Sequence, residues 1–590
     1  MASAPEMIAD AVERALGTVV GAENAGPAML RPCADPKFGD YQANGIMAVA
    51  KRLKQNPKAL ADKVIGQLQL ADVCEPPMVA GAGFINFKLK PEFVARQVSA
   101  AASDKRFGVP VIQKPKTVVI DFSSPNVAKP MHVGHIRSTI IGDCLARVMR
   151  FLGHQVITDN HLGDWGTQFG MLILGWKRFR NDDALKTDPI GELERLYKYV
   201  NGHEELRDEA KAELVKLQQG DAENVAIWKN IIDVSMQEFG KTFDRLGVQF
   251  DHVFGESFYN PLLKDVVDDL KRLGIAWQSE GAICVFFEDN PELKTAAPLI
   301  IQKADGAFLY GTTDMATLKY RIDQWHPDEI IYVTDARQQL HFKQVFATAR
   351  KWWKQTPDLR HVYFGSILGE DGKPLKTREG APVKLSALLD EAEERALAVV
   401  TEKNPELPEQ VRRQVARVVG IGAVKYADLS QNRATDYVFS WAKMLAMTGN
   451  TAPYMQYAYV RVQSIFRKAS GEKIDSASIT LEHLAELDLG GAVRASVTPI
   501  ALEHPAELDL AKHILRFPET LQAVADDDKP NWLTGYLFDL ANKFSAFYEN
   551  CPVLQSTEPT RSSRLVLCRL TADVIKCGLN LLGIDVIEQM

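Results

Sequence analysis

A chain of 590 residues, 46% hydrophobic and 25% charged, has the make-up of a globular protein and the length for roughly four domains. Its net charge of −7 excludes a protein that grips nucleic acid by overall charge, while leaving room for local basic faces. No apolar run approaches the roughly 20 residues of a membrane span, and 7 cysteines without a C-x-x-C pair argue against zinc ribbons and disulfide frameworks, so the cytosol is the expected compartment.

The N-terminus reads as an amphipathic helix near Met7–Leu16, acidic and therefore unlike a secretory leader. A second helical stretch is expected at Tyr41–Leu53, with a turn-rich link at Asp35–Gln42. Gly81–Leu89 alternates like a strand, and Pro110 and Pro115 mark a linker that closes a small α+β unit. Phe87 and Lys88 read either as a stacking surface with a phosphate contact or as ordinary members of an alternating strand.

Thr117–Phe122 is a β-branched apolar run typical of a buried strand. Ser123–Asn126 breaks it, with Ser124 or Asn126 ordering the turn, and Pro130 keeps the next residues extended. From Val133 onward Ile136, Ile140, Ile141, Leu145, Val148 and Met149 recur at helical spacing. His132 and His135 then share one helix face at an N-terminus, where free amides and the helix dipole favour anions. Gly134 lets a flat group such as a nucleobase approach the backbone, and Lys129 adds a mobile positive charge. Together these residues describe a nucleoside triphosphate site; taken as a bare H-x-x-H, the histidines are equally well incidental helix caps. The run SSPNVAKPMHVGHIRST (Ser123–Thr139) resembles the HIGH signature region of class I aminoacyl-tRNA synthetases, in the form carried by the arginyl-tRNA synthetase family.

A second strand, Gln155–Thr158, leads into a polar loop at Asp159–Gly170, where doubly wound folds place ligands. Asp159, Asn160 and His161 read either as pocket lining or as a tight turn into a helix from Gln168. Residues 176–250 form a charged helical insertion whose charge run is a solvated face. The sheet is expected to resume at Phe250–Phe254 and to continue through Ala282–Phe287, Ile300–Ile301 and Ile330–Val333. Glu256, then Tyr310 with Asp314, then Gln338 with Gln339, follow strand ends in turn. Singly, Asp314 reads as an N-cap, Glu256 as a loop carboxylate and Tyr310 as a packing residue. As a set they match the substrate-holding residues of arginyl-tRNA synthetases. The resemblance implies Tyr310 and Asp314 facing a guanidinium, Gln339 assisting, Glu256 closing the pocket and Asn126 at the α-amino or carboxylate end, with Ser124 and His135 also binding arginine. A planar cation with five donors suits such a carboxylate with an aromatic hydroxyl beside it.

The loop Tyr363–Arg378 carries a Glu-Asp-Gly turn followed by Lys373 and Lys376, suited to clamping a triphosphate or simply solvated. It resembles the KMSKS loop but departs from it as KPLKT, so the division of labour between Lys129, Lys373 and Lys376 stays open. The resemblance implies ATP binding by Pro130, His132, Gly134, His135, Lys373 and Lys376, with His132, His135 and the three lysines serving catalysis. From Lys384 onward the chain reads as helical, and the helix opening in Gly449–Val462 interleaves Tyr454 and Tyr457 with Arg461. Those residues suit RNA stacking and phosphate contact, or a helix core with solvated ends. Trp532–Tyr548 presents Leu537, Leu540, Phe544 and Phe547 on one face, and Ser563–Leu582 reads as another bundle helix. The bundle resembles the family's anticodon-binding domain, although the Asp-Ala-Leu-Arg tetrapeptide is absent from Arg561–Leu567. Leu481–Leu489 nearly recurs as Leu502–Leu510, a duplication expected to form a surface loop.

The expected architecture is multidomain α/β plus all-α. It comprises a small α+β N-terminal domain touching tRNA (1–112, through Phe87 and Lys88), a Rossmann-like parallel-sheet catalytic domain (113–384, helical insertion about 176–250), a helical connector (385–448) and a helical anticodon-binding bundle (449–590, tRNA contacts at Tyr454, Tyr457 and Arg461). The implied activity is an arginine–tRNA ligase reaction using ATP, diffusible Mg²⁺, L-arginine and tRNA(Arg) in a cytoplasmic monomer with no membrane contact. The rivals are a small nucleotidyltransferase, which shares the strand–HxxH–helix unit, and a synthetase-like RNA-binding protein without catalysis. The reading requires Asp314 and Tyr310 to lie at the same edge of the sheet as His132 and His135.

Overall fold

The computed structural model describes residues 3–376, 383–469 and 500–588. They divide into two compact units, one of Met1–Pro110, Val462–Glu519 and Asp539–Ile575, the other of Val111–Arg461, Thr520–Phe538 and Lys576–Met590.

The first unit opens with the helix Ala4–Val20, which Ser3 and Glu6 close with a reciprocal capping box. Four antiparallel strands follow in the spatial order Leu30–Pro32, Tyr41–Ala43, Phe84–Phe87, Met78–Ala80. Tyr41–Ala43 is thus a strand and the helix begins only at Gly45, because Tyr41 pairs with Phe87 and its hydroxyl donates to Glu519 at 2.5 Å. Phe87 is wholly buried, which corrects its reading as a stacking surface: the ring belongs to the core beneath the sheet. Lys88 stays exposed and pairs with Glu75 at 3.0 Å. The second duplicated segment, Leu502–Leu510, is not a surface loop. It runs into the helix Pro505–Ile514, capped by His504, where Leu510 and Glu507 are fully buried and Glu507 accepts from Arg564 at 2.6 Å. The first copy, Leu481–Leu489, lies outside the described residues.

The second unit is built on a parallel sheet of five strands: β1 (Thr117–Asp121), β2 (Gln155–Leu162), β3 (His252–Gly255), β4 (Glu329–Tyr332) and β5 (Asp358–His361), in the order β5-β4-β1-β2-β3. Val118, Val119 and Ile120 are buried on both faces, as a parallel sheet covered by helices demands. The helix α1 (Val133–Leu152) lies so close to the sheet that a Cβ on Gly142 would sit 2.2 Å from the Phe122 ring. β2 runs four residues beyond the expected Thr158. Its Asp159 is buried but neutralised by Arg321, at 2.7 Å, from the helix α2 (Tyr310–Trp325). Asp159–Leu162 is therefore strand and not loop.

Ala282–Val285 and Leu299–Gln302 do not continue the main sheet. With Ala276–Ser279 they form a separate antiparallel sheet. Glu280 and Gly281, both left-handed (φ 50° and 85°), make the two-residue hairpin turn that forces this antiparallel pairing. The insertion helices Gln168–Phe179, Pro189–Gly202, Arg207–Gln218 and Ala222–Leu246 pack around Phe169, Ile173, Leu193 and Ile231. Two further helices, Leu385–Lys403 and Glu409–Leu429, cover α1, and the fully buried Asp428 pairs with Arg137 at 3.0 Å. On the helix Asn531–Asn550 the face Leu537, Leu540, Phe544 and Phe547 is entirely buried. Among the described residues no helix is long and apolar enough to cross a membrane.

Candidate active site

The strand order reverses between β1 and β4, so the segments leaving their C-terminal ends diverge and open a crevice between them. The segment after β1 holds Ser123, Ser124 and Ala128 in left-handed conformations (φ 76°, 50° and 63°), each costing about 1–3 kcal/mol for a residue with a side chain. A hydrogen-bond network offsets that strain: Ser123 N–H donates to Ser138 Oγ at 2.8 Å, Ser124 N–H to Asn160 Oδ1 at 3.0 Å, and Ala128 N–H to Ser235 Oγ at 3.0 Å. Ser124 is half-buried with its hydroxyl on Asp121, and Pro130 is half-buried. Asn126 is exposed, beside Gly163, where a Cβ would come within 2.3 Å of its Oδ1. The sequence places a turn here; the non-glycine strain is visible only in the structure.

His132 is the N-cap of α1 and His135 stands one turn in, their ring centroids 4.0 Å apart. The expectation of free amides is corrected. Val133 N–H donates to Val383 O at 3.0 Å, Gly134 N–H to His132 Nδ1 at 3.0 Å and His135 N–H to His132 O at 2.8 Å. The exposed Gly134 has no Cβ, which would otherwise meet the His132 ring at 2.8 Å. His132 N–H in turn donates to His135 Nδ1 at 3.1 Å. Burial lowers the pKa of His132, with help from the charges of Arg337 and Lys129, and brings His135 down to about 3, with help from His132. Both rings are therefore neutral near pH 7, and because each Nδ1 accepts, each proton sits on Nε2. The helix end offers a ligand two neutral imidazole donors instead of bare amides.

The other end of the crevice is acidic. Glu256 follows β3, and its carboxyl is pushed up to about 7 by burial and then by the negative charges of Asp314 and Asp164. Asp164 clamps the turn that carries it, accepting from Ser257 N–H at 2.8 Å and Ser257 Oγ at 2.6 Å. Asp314 lies inside α2 and not at its N-cap, which is Leu309; its carboxylate accepts from His341 Nε2. Tyr310 opens α2 with 64% of its surface exposed, its ring edge-on to His341 at 5.0 Å. Gln339 and His341 belong to the first turn of α3 (Gln339–Trp352), which follows β4 through the short turn Ala336–Gln338. Arg321 anchors α2 to the end of β1 through Asp121 and to the middle of β2 through Asp159, at 2.7 Å each, while Asp314 meets His341 at the start of α3 beyond β4. Tyr310 and Asp314 thus stand at the same edge of the sheet as His132 and His135.

His341, Asp164 and Arg321 were not singled out in the sequence. His341 had one available signal, a histidine two positions after Gln339 at the start of the helix following a parallel strand. Of the lysines, Lys129 lies over the Tyr197 ring of the insertion at 5.5 Å. Lys373 and Lys376 are exposed on a hairpin closed by Gly369 N–H to Lys373 O at 2.7 Å and Leu375 N–H to Ile367 O at 3.1 Å. After residues 377–382 the chain returns to the histidines, where Leu385 N–H donates to Met131 O at 2.9 Å and Lys384 bridges His132. Tyr454, Tyr457 and Arg461 lie together on the helix Ala452–Ala469, apart from this crevice. Tyr457 is exposed, Arg461 is half-buried, and Tyr454 packs against Phe538 with centroids 6.0 Å apart.

A switch-point crevice with paired imidazoles at a helix start, followed by a helical bundle, is the plan of a class I aminoacyl-tRNA synthetase. Residues 97–441 match the catalytic-domain model of tRNA synthetases class I (R), residues 6–89 the arginyl tRNA synthetase N-terminal domain, and residues 455–590 the DALR anticodon binding domain, despite the missing tetrapeptide. The chain is 45% identical to the arginine–tRNA ligase of Hahella chejuensis, covering 97% of both chains, and 46% identical to that of Synechococcus elongatus, covering 100% of both. A solved arginyl-tRNA synthetase of Plasmodium falciparum superposes with a TM-score of 0.82 at 31% identity over the whole of both chains. The chain belongs to the arginyl-tRNA synthetase family.

Proposed function

We propose that this chain activates L-arginine with ATP, forming arginyl-adenylate and pyrophosphate, and then transfers arginine to the 3′-terminal adenosine of tRNA(Arg). The observation that carries the reading is an under-compensated acidic cradle, Glu256 with Asp314, standing beside the imidazole pair at one sheet edge in a chain of this family. A guanidinium supplies the positive charge that cradle lacks, with Asp314, Tyr310 and Gln339 as its partners and Glu256 closing over it. Asn126, Ser124 and His135 take the α-amino and carboxylate end. The substrate carboxylate attacks the α-phosphorus in line, so no protein nucleophile is required and positioning with charge neutralisation carries the rate. Nε2–H of His132 and of His135 donate to phosphate oxygens, the adenine lies over Gly134 beside Pro130, and Lys129, Lys373 and Lys376 follow the charge onto pyrophosphate. Both Nδ1 atoms already accept N–H bonds and both protons sit on Nε2, so the imidazoles offer phosphate oxygens donors and a metal no lone pair, and Mg²⁺ enters as the companion of ATP.

Lys88 at one end of the chain and Tyr454, Tyr457 and Arg461 at the other are proposed tRNA contacts, of which the exposed Tyr457 is the best placed for stacking. The working division is 1–112, 113–384, 385–448 and 449–590, and the chain acts as a cytosolic monomer. Arginine-dependent exchange of pyrophosphate into ATP, measured with and without tRNA, tests the reading. Exchange that requires arginine supports it; exchange driven by another substrate points to a nucleotidyltransferase, and no exchange under either condition to a protein without catalysis.

A further inference from the structure

Under the reading above, the nucleotide end must bind a triphosphate with about four negative charges, yet fixed positive charge there is scarce. The first amides of α1 are already taken, both imidazoles are neutral, Lys129 leans on Tyr197, Lys373 and Lys376 sit on an exposed hairpin, and Lys384, bridged to His132 through its backbone, has an exposed side chain. Arg337 fills the gap. It sits in the turn Ala336–Gln338 after β4, the lip of the crevice opposite the one that carries His132.

Its side chain is 89% exposed, whereas the Asp335 that holds it is 28% exposed, so the cation faces outward and the anion inward. Nε donates to Asp335 Oδ1 at 2.8 Å and Nη2 to Oδ2 at 3.0 Å, a two-point clamp that leaves Nη1 without a partner among the described residues. The turn is itself fixed, since Asp335 Oδ1 also accepts from Arg337 N–H at 2.8 Å and Ala336 N–H donates to Phe364 O at 3.0 Å. A guanidinium held this way has its second edge turned outward by the Asp335 pair, an orientation that suits directional phosphate binding. Its charge also weighs on His132 more heavily than that of Lys129.

We propose that Arg337 is a phosphate-contacting residue, its free guanidinium edge taking the β- or γ-phosphate of ATP across the crevice from His132 and staying with pyrophosphate as it leaves. The test uses the full chain carrying Arg337→Gln or Arg337→Lys, titrated calorimetrically with ATP and with AMP, alongside steady-state KM values for ATP, arginine and tRNA. Arg337→Gln is expected to weaken ATP about tenfold or more while AMP, arginine and tRNA move less than about twofold, and Arg337→Lys, which keeps the charge but not the fork, to recover only part of the loss. Equal losses for ATP and AMP, or none, overturn the proposal, and so does a loss confined to the tRNA KM, which assigns the guanidinium to the phosphates of the acceptor end. An active parent with an unaffected Arg337→Gln removes the contact and spares the functional reading. A parent that cannot activate arginine, whose ATP affinity still falls on substitution, removes that reading and spares the contact.

Discussion

The two ends of the crevice are finished to different degrees. At the histidines the backbone donors from His132 to His135 are all matched, both rings are uncharged with Nε2–H left for a ligand, and the strained turn is locked by three side chains. At the acidic end Glu256 faces Asp314 and Asp164, and its carboxyl holds its proton up to about pH 7. One end is a rigid seat for a ligand that brings its own counter-ion. The other brings carboxylates together, and either a proton on Glu256 or a bound cation relieves their repulsion.

The largest effect is expected from Asp314→Ala. If Asp314 is the partner of the guanidinium, as proposed, its loss raises the arginine KM by at least about 100-fold while the ATP KM stays within about threefold. Equal changes in both constants would erase the distinction between the two ends. His132→Ala comes next, removing the proposed phosphate donor and the cap of α1 together. It should lower kcat by about 10- to 100-fold and cost about 1 kcal/mol of stability in denaturant unfolding.

Glu256 sharpens the contrast through pH. Its carboxyl is raised in the folded state, so below about 7 it is protonated and attracts a cation weakly. The arginine KM should therefore fall as pH rises through about 7, with uptake of arginine releasing a proton measurable by calorimetry in buffers of different ionisation enthalpy. A raised carboxyl also destabilises the fold progressively as pH climbs from its ordinary 4.5 toward 7, so Glu256→Gln should melt higher than the parent at pH 8 and match it below that ordinary value. A flat KM profile, or a lower melting point for the variant at pH 8, would show that the cradle is not frustrated. The smallest effect belongs to His341→Ala, which frees Asp314 to wander and should raise the arginine KM by about three- to tenfold without touching ATP.

The local part of this machinery was readable from sequence, because strand, turn and helix at Thr117–Leu152 are dictated by neighbours in the chain. The buried face of Leu537, Leu540, Phe544 and Phe547 was readable for the same reason, periodicity. What escaped depends on distant partners. Asp159 and Asn160 look like loop residues until Arg321, from another element, neutralises the first and the Ser124 backbone engages the second. Phe87 looks available until Tyr41 pairs beside it and its sheet face is covered. His341 is silent in the sequence because nothing nearby in the chain announces Asp314 as its partner.

Arg137 lies on α1 close behind the histidines, yet its charge is cancelled by Asp428, from a helix well past residue 384. Any fragment that stops at that border would strand a cation inside the protein, a penalty of about 3–5 kcal/mol. The catalytic half cannot be cut out as a free-standing miniature at that border: the stem is part of its folding unit, and gene truncations or chimaeras joined there should yield insoluble product.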